Sequence, residues 1–167
     1  MALQPALIFV FLEIIMYIRI FILSSFSILT ASSAWAFDLS ANAEKAAAIV
    51  SQNGTEKGAQ LIEAAGTELV DMKAGKGLHV WSMNDAGHML FDFSGQTKPG
   101  DDLNDFVLSD GSKLVAMIKE KLAAGNGKGV IELGPELPNP TTNSISPSKI
   151  ACVALASKDV VCAMAWD

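Results

Sequence analysis

The chain has 167 residues, half of them hydrophobic, and carries a formal net charge of −6 at pH 7. With a pI near 4.8, it is a poor candidate for binding nucleic acid, because phosphates require a basic surface. The composition also excludes collagen, coiled-coil and low-complexity chains, and the length suits one domain of ordinary size.

The N-terminal segment is strongly apolar, and Glu13 and Arg19 are the only charges in residues 1–36. An apolar run follows Arg19, and the tripeptide Ala34-Trp35-Ala36 places small residues at the two positions that a signal peptidase reads. Residues 1–36 are therefore predicted to be a signal peptide that is cleaved after this tripeptide. An uncleaved membrane anchor is the alternative. Either way, we expect residues 37–167 to form one domain in the periplasm or outside the cell.

Two helices are predicted at the start of this domain. Apolar residues recur at helical spacing over residues 38–50, with Asp38 or Ser40 available as the N-cap. A second helical pattern covers residues 55–65 and ends at Gly66.

The pattern then changes to the shorter period of β-strands. Strands are predicted at residues 78–83, 88–91, 129–133, 150–156 and 160–166. A middle helix is predicted at residues 112–124, between the second and third strands. Hairpin connections require an antiparallel sheet, so the predicted class is α+β, with helices on one or both faces of the sheet. Two long loops, residues 92–111 and 134–148, are expected to lie over one sheet face as the walls of a pocket.

The two cysteines flank a polar turn in the last predicted hairpin, which would place Cys152 and Cys162 nearly opposite each other. Neighbouring strands lie ~5 Å apart, within the range that a disulfide tolerates. Export to an oxidising compartment favours the disulfide over the alternative of two buried thiols. The C-x-x-C spacing of redox and zinc motifs is absent.

The sequence contains no recognisable catalytic or metal-binding motif. The two histidines, His79 and His88, lack metal-ligand spacing to any carboxylate or thiol and are interpreted as strand-surface and turn residues. The acidic residues 101–105 lack the spacing of an EF-hand loop. Nucleophile, zinc-protease and phosphate-loop motifs do not occur. We therefore predict a protein that is not an enzyme and that holds no metal or cofactor.

Five short motifs carry a resemblance to a known family. They are Gly54-Thr55-Glu56-Lys57-Gly58-Ala59, Val80-Trp81-Ser82-Met83-Asn84-Asp85-Ala86-Gly87, Lys98-Pro99-Gly100-Asp101-Asp102-Leu103, Ser109-Asp110-Gly111-Ser112-Lys113-Leu114, and Pro138-Asn139-Pro140-Thr141 followed by Pro147-Ser148-Lys149. In this order they resemble the single Cache domain, the extracytoplasmic ligand-sensing module of bacterial chemoreceptors and sensor kinases. The resemblance implies N-terminal helices, a PAS-like five-stranded antiparallel sheet and a small-molecule site between the sheet and the long loops.

The sequence departs from the family at several positions that line the pocket in relatives. Asp92 and Phe93 stand where a histidine and a proline are usual, Leu137 replaces an aromatic residue, and Cys152 replaces a tyrosine. The small carboxylates that the family usually binds therefore do not transfer directly to this chain.

The candidate ligand site consists of Trp81, Asp92, Asn139 and Lys149. Trp81 would supply an apolar wall, and Asn139 both a donor and an acceptor. Lys149 belongs to a motif of the family, which implies that it turns inward over Trp81 and offers a point charge to a carboxylate. If Asp92 faces Lys149, the charges cancel and favour a neutral or zwitterionic ligand. If Asp92 faces the pocket alone, it favours an amine.

Two functions from different classes follow. The first is an exported sensor-type domain that binds a small polar metabolite, such as an organic acid. It would have no signalling output of its own, since the chain stops where relatives continue into a transmembrane helix. The alternative is an extracytoplasmic interaction subunit that partners a membrane receptor or sensor kinase. Its pocket would be degenerate and filled by Met83, Phe91, Phe93 and Met164.

Overall fold

The structure is a computed structural model, and it describes residues 38–71 and 77–166. The predicted signal peptide, residues 1–36, lies outside the described residues. No helix within the described ranges has both the length and the apolar character needed to cross a membrane.

Two consecutive helices open the described chain, as predicted. Helix α1 spans Leu39–Asn53 and helix α2 spans Thr55–Ala64. The carboxylate of Asp38 accepts a hydrogen bond from the Ala41 N–H at 3.1 Å and so caps α1. Gly54, whose φ is 77°, ends α1 and starts α2, because glycine adopts a positive φ without a steric penalty.

The remaining elements form a five-stranded sheet and one further helix. The strands are β1 (His79–Met83), β2 (Met89–Asp92), β3 (Lys128–Leu133), β4 (Ser148–Ala154) and β5 (Val160–Trp166), and helix α3 (Leu114–Ala124) lies between β2 and β3 in the chain. The strand order in space is β2-β1-β5-β4-β3, and every neighbouring pair is antiparallel. The predicted α+β class and its five-stranded antiparallel sheet are confirmed.

Helices cover both faces of the sheet. Along each strand the side chains alternate between the faces. On one face, the small residues Ala163 and Ala165 of β5 lie in the core that α1 covers. On the other face, larger side chains, among them Trp81, Ile150 and Met164, share a core with residues of α3. The face that carries α3 also receives the long loops, and it is the face on which a cavity forms.

A disulfide joins the last two strands. Cys152 of β4 lies directly opposite Cys162 of β5, and both side chains are buried on the α3 face. The bond closes a loop with a sequence separation of 10 residues. Because it crosses two strands in the interior of the sheet, it restrains the pairing between them.

Reduction of this disulfide is expected to destabilise the protein by about 2–3 kcal/mol, since an open chain gains loop entropy when it unfolds. Urea unfolding of the oxidised and reduced wild-type protein measures the difference. The Cys152→Ala, Cys162→Ala double variant should show no dependence on reductant. Equal unfolding midpoints for oxidised and reduced wild type would contradict the expectation.

Candidate functional site

A cavity of about 90 Å³ lies between the sheet and the loops on the α3 face. Its apolar lining includes Trp81, Met89, Leu103, Phe106, Leu114 and Met164. Its polar lining consists of His79, Asp92, Ser94, Gln96 and Thr97. The polar side chains come from the start of β1 and the end of β2, together with the residues that follow β2. The cavity is therefore apolar over most of its wall and polar at one end.

The roof of the cavity is formed by the two long connections, residues 93–113 and 134–147. The Gln96 side chain donates a hydrogen bond to the Pro138 carbonyl at 3.1 Å. Ser109 donates its backbone N–H to Glu136 at 2.9 Å. The second connection is also attached to the sheet, because the indole N–H of Trp166 in β5 donates a hydrogen bond to the Leu137 carbonyl at 2.9 Å. These contacts hold the two loops together over the sheet.

Asp92 is the centre of a dense hydrogen-bond network at the polar end. Its side chain is 4% exposed, yet it accepts four hydrogen bonds. Oδ1 accepts the Ser94 N–H at 2.8 Å, and Oδ2 accepts the Ser94 hydroxyl at 2.6 Å. Oδ2 also accepts the backbone N–H and the hydroxyl of Thr97, at 3.1 and 2.9 Å. Burial by itself raises the pKa of Asp92, but the hydrogen bonds from Ser94 and Thr97 outweigh burial and lower the pKa below its ordinary value. Asp92 is therefore a buried carboxylate anion at neutral pH.

His79 lies beside this carboxylate. Its ring stacks on the indole of Trp166, with 5.4 Å between centroids and 20° between planes. Nδ1 is 3.1 Å from the Gly77 carbonyl, which can only accept, so the proton of the neutral ring is assigned to Nδ1. Nε2 is 3.6 Å from Oδ1 of Asp92. Burial lowers the pKa of His79 more than Asp92 and the Gly77 carbonyl raise it. The neutral ring thus presents a lone pair next to a carboxylate oxygen.

Acidification is expected to destabilise the protein in two steps. The pKa of His79 is lowered, so the unfolded chain takes up a proton below the ordinary value of 6.5 before the folded chain does. Stability therefore falls as the pH drops from 6.5 through the pKa of the folded state. The lowered pKa of Asp92 adds a second loss below its ordinary 3.8. Urea unfolding across this pH range measures both steps. The variant His79→Phe should flatten the first step alone, and an unchanged first step would show that another group causes it.

The structure brings together two of the residues predicted for the ligand site. Trp81 and Asp92 are paired across β1 and β2, and both line the cavity. The indole N–H of Trp81 is buried and has no hydrogen-bond acceptor among the described residues. Asp92 lies with His79 rather than with Lys149.

Lys149 is not placed as the sequence suggested. In β4 it pairs with Glu132 of β3, and its Nζ lies 2.6 Å from a carboxylate oxygen of that residue. It is opposite Ala165 of β5, whose side chain belongs to the core on the α1 face. Because Trp81 belongs to the core on the α3 face, Lys149 and the cavity are on opposite faces of the sheet. The expectation that Lys149 turns over Trp81 is corrected accordingly.

Asn139 has a position in the loop rather than in the cavity lining. Its side chain is buried, and Oδ1 accepts the Thr141 N–H at 2.9 Å. Its backbone N–H donates to the Ser144 carbonyl at 2.8 Å. These bonds shape the turn of the second long loop, and a ligand-binding role for Asn139 stays a prediction.

Sequence reasoning missed the other polar residues of the cavity, above all His79. It is two residues before Trp81 in a strand, and this spacing places both side chains on one face. Ser94 and Thr97 follow Asp92 at two and five residues, a spacing at which an aspartate accepts hydrogen bonds from the turn that follows it. Both patterns are visible in the sequence.

Within the described part of the chain, no group of three or more His, Cys, Asp or Glu side chains is placed to hold a metal ion.

No family model matches the chain, and no curated protein matches it. Similarity is found to solved structures. One is a periplasmic sensor domain of a chemotaxis protein, at 16% identity and a TM-score of 0.51, covering 75% of this chain and 85% of that one. Another is a methyl-accepting chemotaxis protein from Vibrio parahaemolyticus RIMD 2210633, at 17% identity and a TM-score of 0.54, covering 77% and 85%. A Cache chemosensory domain described in terms of carboxylic acid recognition gives 15% identity, a TM-score of 0.49, and coverage of 75% and 93%. The chain therefore shares its fold with the periplasmic sensor domain of a chemotaxis protein and with a methyl-accepting chemotaxis protein.

Proposed function

We propose that the chain is an extracytoplasmic sensor-type domain that binds one small molecule in the cavity between its sheet and its long loops. The observation that carries the proposal is the cavity itself, an apolar enclosure with the buried polar pair His79 and Asp92 at one end. Concave, mostly apolar sites with a few convergent polar groups are where small ligands bind. The fold shared with the sensor domain of one chemotaxis protein and with a methyl-accepting chemotaxis protein supports a role in sensing. A membrane receptor or sensor kinase would then carry the signal onward.

The size of the cavity limits the ligand. At about 90 Å³, it is well below the roughly 300–1,000 Å³ of sites for drug-sized molecules. A metabolite of a few non-hydrogen atoms fits this space, and a larger molecule would extend out of it. The part of the ligand that the cavity holds is therefore short, with an apolar body and one polar end.

The alternative of a degenerate pocket requires that large side chains fill the space. Of the four residues expected to do so, Phe91 and Phe93 pack in the core on the α1 face. Met83 and Met164 lie on the cavity side, and Met164 lines the cavity without closing it. This arrangement favours ligand binding over a role confined to protein interaction.

A thermal-shift screen tests the proposal directly. The purified protein, expressed from the full-length chain, is screened against small organic acids, amines, amides and amino acids. A ligand at one hundred times its dissociation constant raises the stability by ~2.7 kcal/mol. The variant Met164→Phe, which narrows the cavity, should lose the shift. A screen in which no compound stabilises the wild type would count against ligand binding and in favour of an interaction subunit.

Export is part of the proposal and has its own test. We expect the mature protein to begin at Phe37, because the small residues of the tripeptide before it fit the signal-peptidase pattern. Intact-mass measurement of protein from the extracytoplasmic fraction identifies the N-terminus. Recovery of a membrane-bound chain that retains residues 1–36 would support the uncleaved anchor instead.

A further inference from the structure

The charge around the cavity indicates which polar end the ligand carries, provided that the proposed binding function holds. Among the described residues that line the cavity, Asp92 is the only one with a permanent charge. Lys149, the cation predicted for the site, lies on the opposite face of the sheet. Among the described lining residues, a carboxylate ligand would therefore meet a buried anion with no opposing cation. Bringing two like charges together in a poorly solvated site is strongly unfavourable.

The hydrogen-bonding capacity of the Asp92–His79 end of the cavity, apart from the indole N–H of Trp81 elsewhere in the lining, gives a second indication. Oδ2 of Asp92 already accepts three hydrogen bonds, from the Ser94 hydroxyl and from the N–H and hydroxyl of Thr97. Among the described residues, Oδ1 accepts only the Ser94 N–H, which leaves one of its lone pairs for a further donor. His79 presents the lone pair of Nε2 3.6 Å away, because its Nδ1 proton is directed to Gly77. Two acceptors thus lie side by side, with no donor between them among the described residues.

We propose that the ligand of this cavity is a short molecule with an N–H donor head, an ammonium or an amide nitrogen, that donates to Oδ1 of Asp92 and Nε2 of His79. Its apolar body extends toward Met89, Leu114 and Met164. A donor between Oδ1 of Asp92 and Nε2 of His79 would satisfy both acceptors, which otherwise face each other. An ammonium would also neutralise the buried carboxylate of Asp92.

Protonation of His79 at Nε2 would compete with the ligand for the same lone pair of Asp92 Oδ1. When Nε2 of His79 is protonated, it becomes a donor and takes the free lone pair of Oδ1. The groups that face the imidazole are Asp92 from β2, the Gly77 carbonyl and the uncharged ring of Trp166 from β5. Within the described ranges, no other charged side chain lies within ion-pair distance of His79. Ligand affinity should therefore fall as His79 takes up a proton.

Three probes of nearly equal shape separate the ligand classes: isobutylammonium, propionamide and propionate. Each is titrated into purified protein, expressed from the full-length chain, over a series of pH values downward from about 8 and up to about 10 mM, since molecules of this size bind weakly. The first two are expected to bind at about pH 8 and to bind more weakly as the pH falls through the lowered pKa of His79. Propionate is expected not to bind at about pH 8. Tighter binding of propionate than of propionamide overturns this inference while leaving the proposed binding function intact. Failure of all three probes overturns it as well, and the broader screen then decides the proposed function.

Substitutions at Asp92 and His79 test whether these two side chains bind the probes. Asp92→Asn keeps an acceptor oxygen but removes the charge, so isobutylammonium should bind about tenfold to a hundredfold more weakly and propionamide should lose less. His79→Phe keeps an aromatic ring against Trp166 and should remove the pH dependence of binding. Asp102→Asn, a change at a half-exposed carboxylate outside the cavity lining, is the matched control and should bind all probes as the wild type does. The inference is overturned if the Asp92→Asn protein is folded and binds isobutylammonium as tightly as the wild type does.

Discussion

Replacement of Trp166 with alanine is expected to destabilise the protein by about 3–5 kcal/mol, the cost typical of removing a buried aromatic side chain. Trp166 is the largest of the fully buried side chains and is 1% exposed. Its ring stacks on His79, and its N–H donates to the Leu137 carbonyl at 2.9 Å. The tight approach of Gly77 leaves little room for rearrangement, because a Cβ there would lie 2.9 Å from the indole. The substitution would remove the packing, the stack and the attachment of the second long loop at once.

Urea unfolding of Trp166→Ala, compared with Trp166→Phe, checks this expectation. Phenylalanine keeps an aromatic ring against His79 but cannot donate to the Leu137 carbonyl, so it should cost about 1–2 kcal/mol. Phe106→Ala, at a cavity residue that is 38% exposed, controls for the loss of an aromatic ring in general and should cost less than either. If Trp166→Ala costs no more than the Phe106 variant, the packing described for Trp166 is incorrect.

Replacement of Asp92 with alanine is expected to destabilise the protein by about 3 kcal/mol. The cost arises because four donors from Ser94 and Thr97 lose one common acceptor, and groups that are left unpaired keep the penalty of their desolvation. His79 would also lose the only carboxylate beside its ring among the described residues. The turn after β2 would lose the contacts that fix it next to the cavity.

Asp102 provides the comparison for this prediction. Its carboxylate also accepts from a residue two positions on, Asn104, but its side chain is 53% exposed, so water can replace the lost acceptor. Asp102→Ala should therefore destabilise the protein much less than Asp92→Ala does. Chemical denaturation of both variants at neutral pH gives the two values. Equal costs would indicate that the burial of Asp92 adds nothing to its hydrogen bonds.

The order and the approximate bounds of the elements could be predicted because local signals determine them. Apolar spacing marks each helix and strand, and residues such as Gly54 and Gly66 mark where they end. The prediction that Cys152 and Cys162 lie opposite each other also rests on local information, a single hairpin whose turn sets the pairing. Within one hairpin, the register follows from the length of the turn.

The side of the sheet on which Lys149 lies could not be predicted in this way. Its face relative to Trp81 depends on two strand pairings, β1 with β5 and β5 with β4, and β1 is remote from both in the sequence. The observed register places Trp81 opposite Cys162, which is opposite Cys152, so these side chains share a face. Lys149 is three residues before Cys152, and an odd offset along a strand leads to the other face. A shift of one residue in either pairing would have placed Lys149 on the same face of the sheet as Trp81.

The hydrogen bonds that hold the two loops over the cavity have a consequence for the speed of ligand exchange. The bonds from Gln96 to Pro138 and from Ser109 to Glu136 are exposed to solvent, whereas the floor of the cavity is a disulfide-linked sheet. Exposed contacts of this kind open locally at a much lower free energy than the core does. Opening of the roof would then widen the path by which a ligand both enters and leaves. A change that loosens the roof alone would shorten the residence time and speed association by the same factor, so the domain would respond faster to a change in concentration at an unaltered affinity.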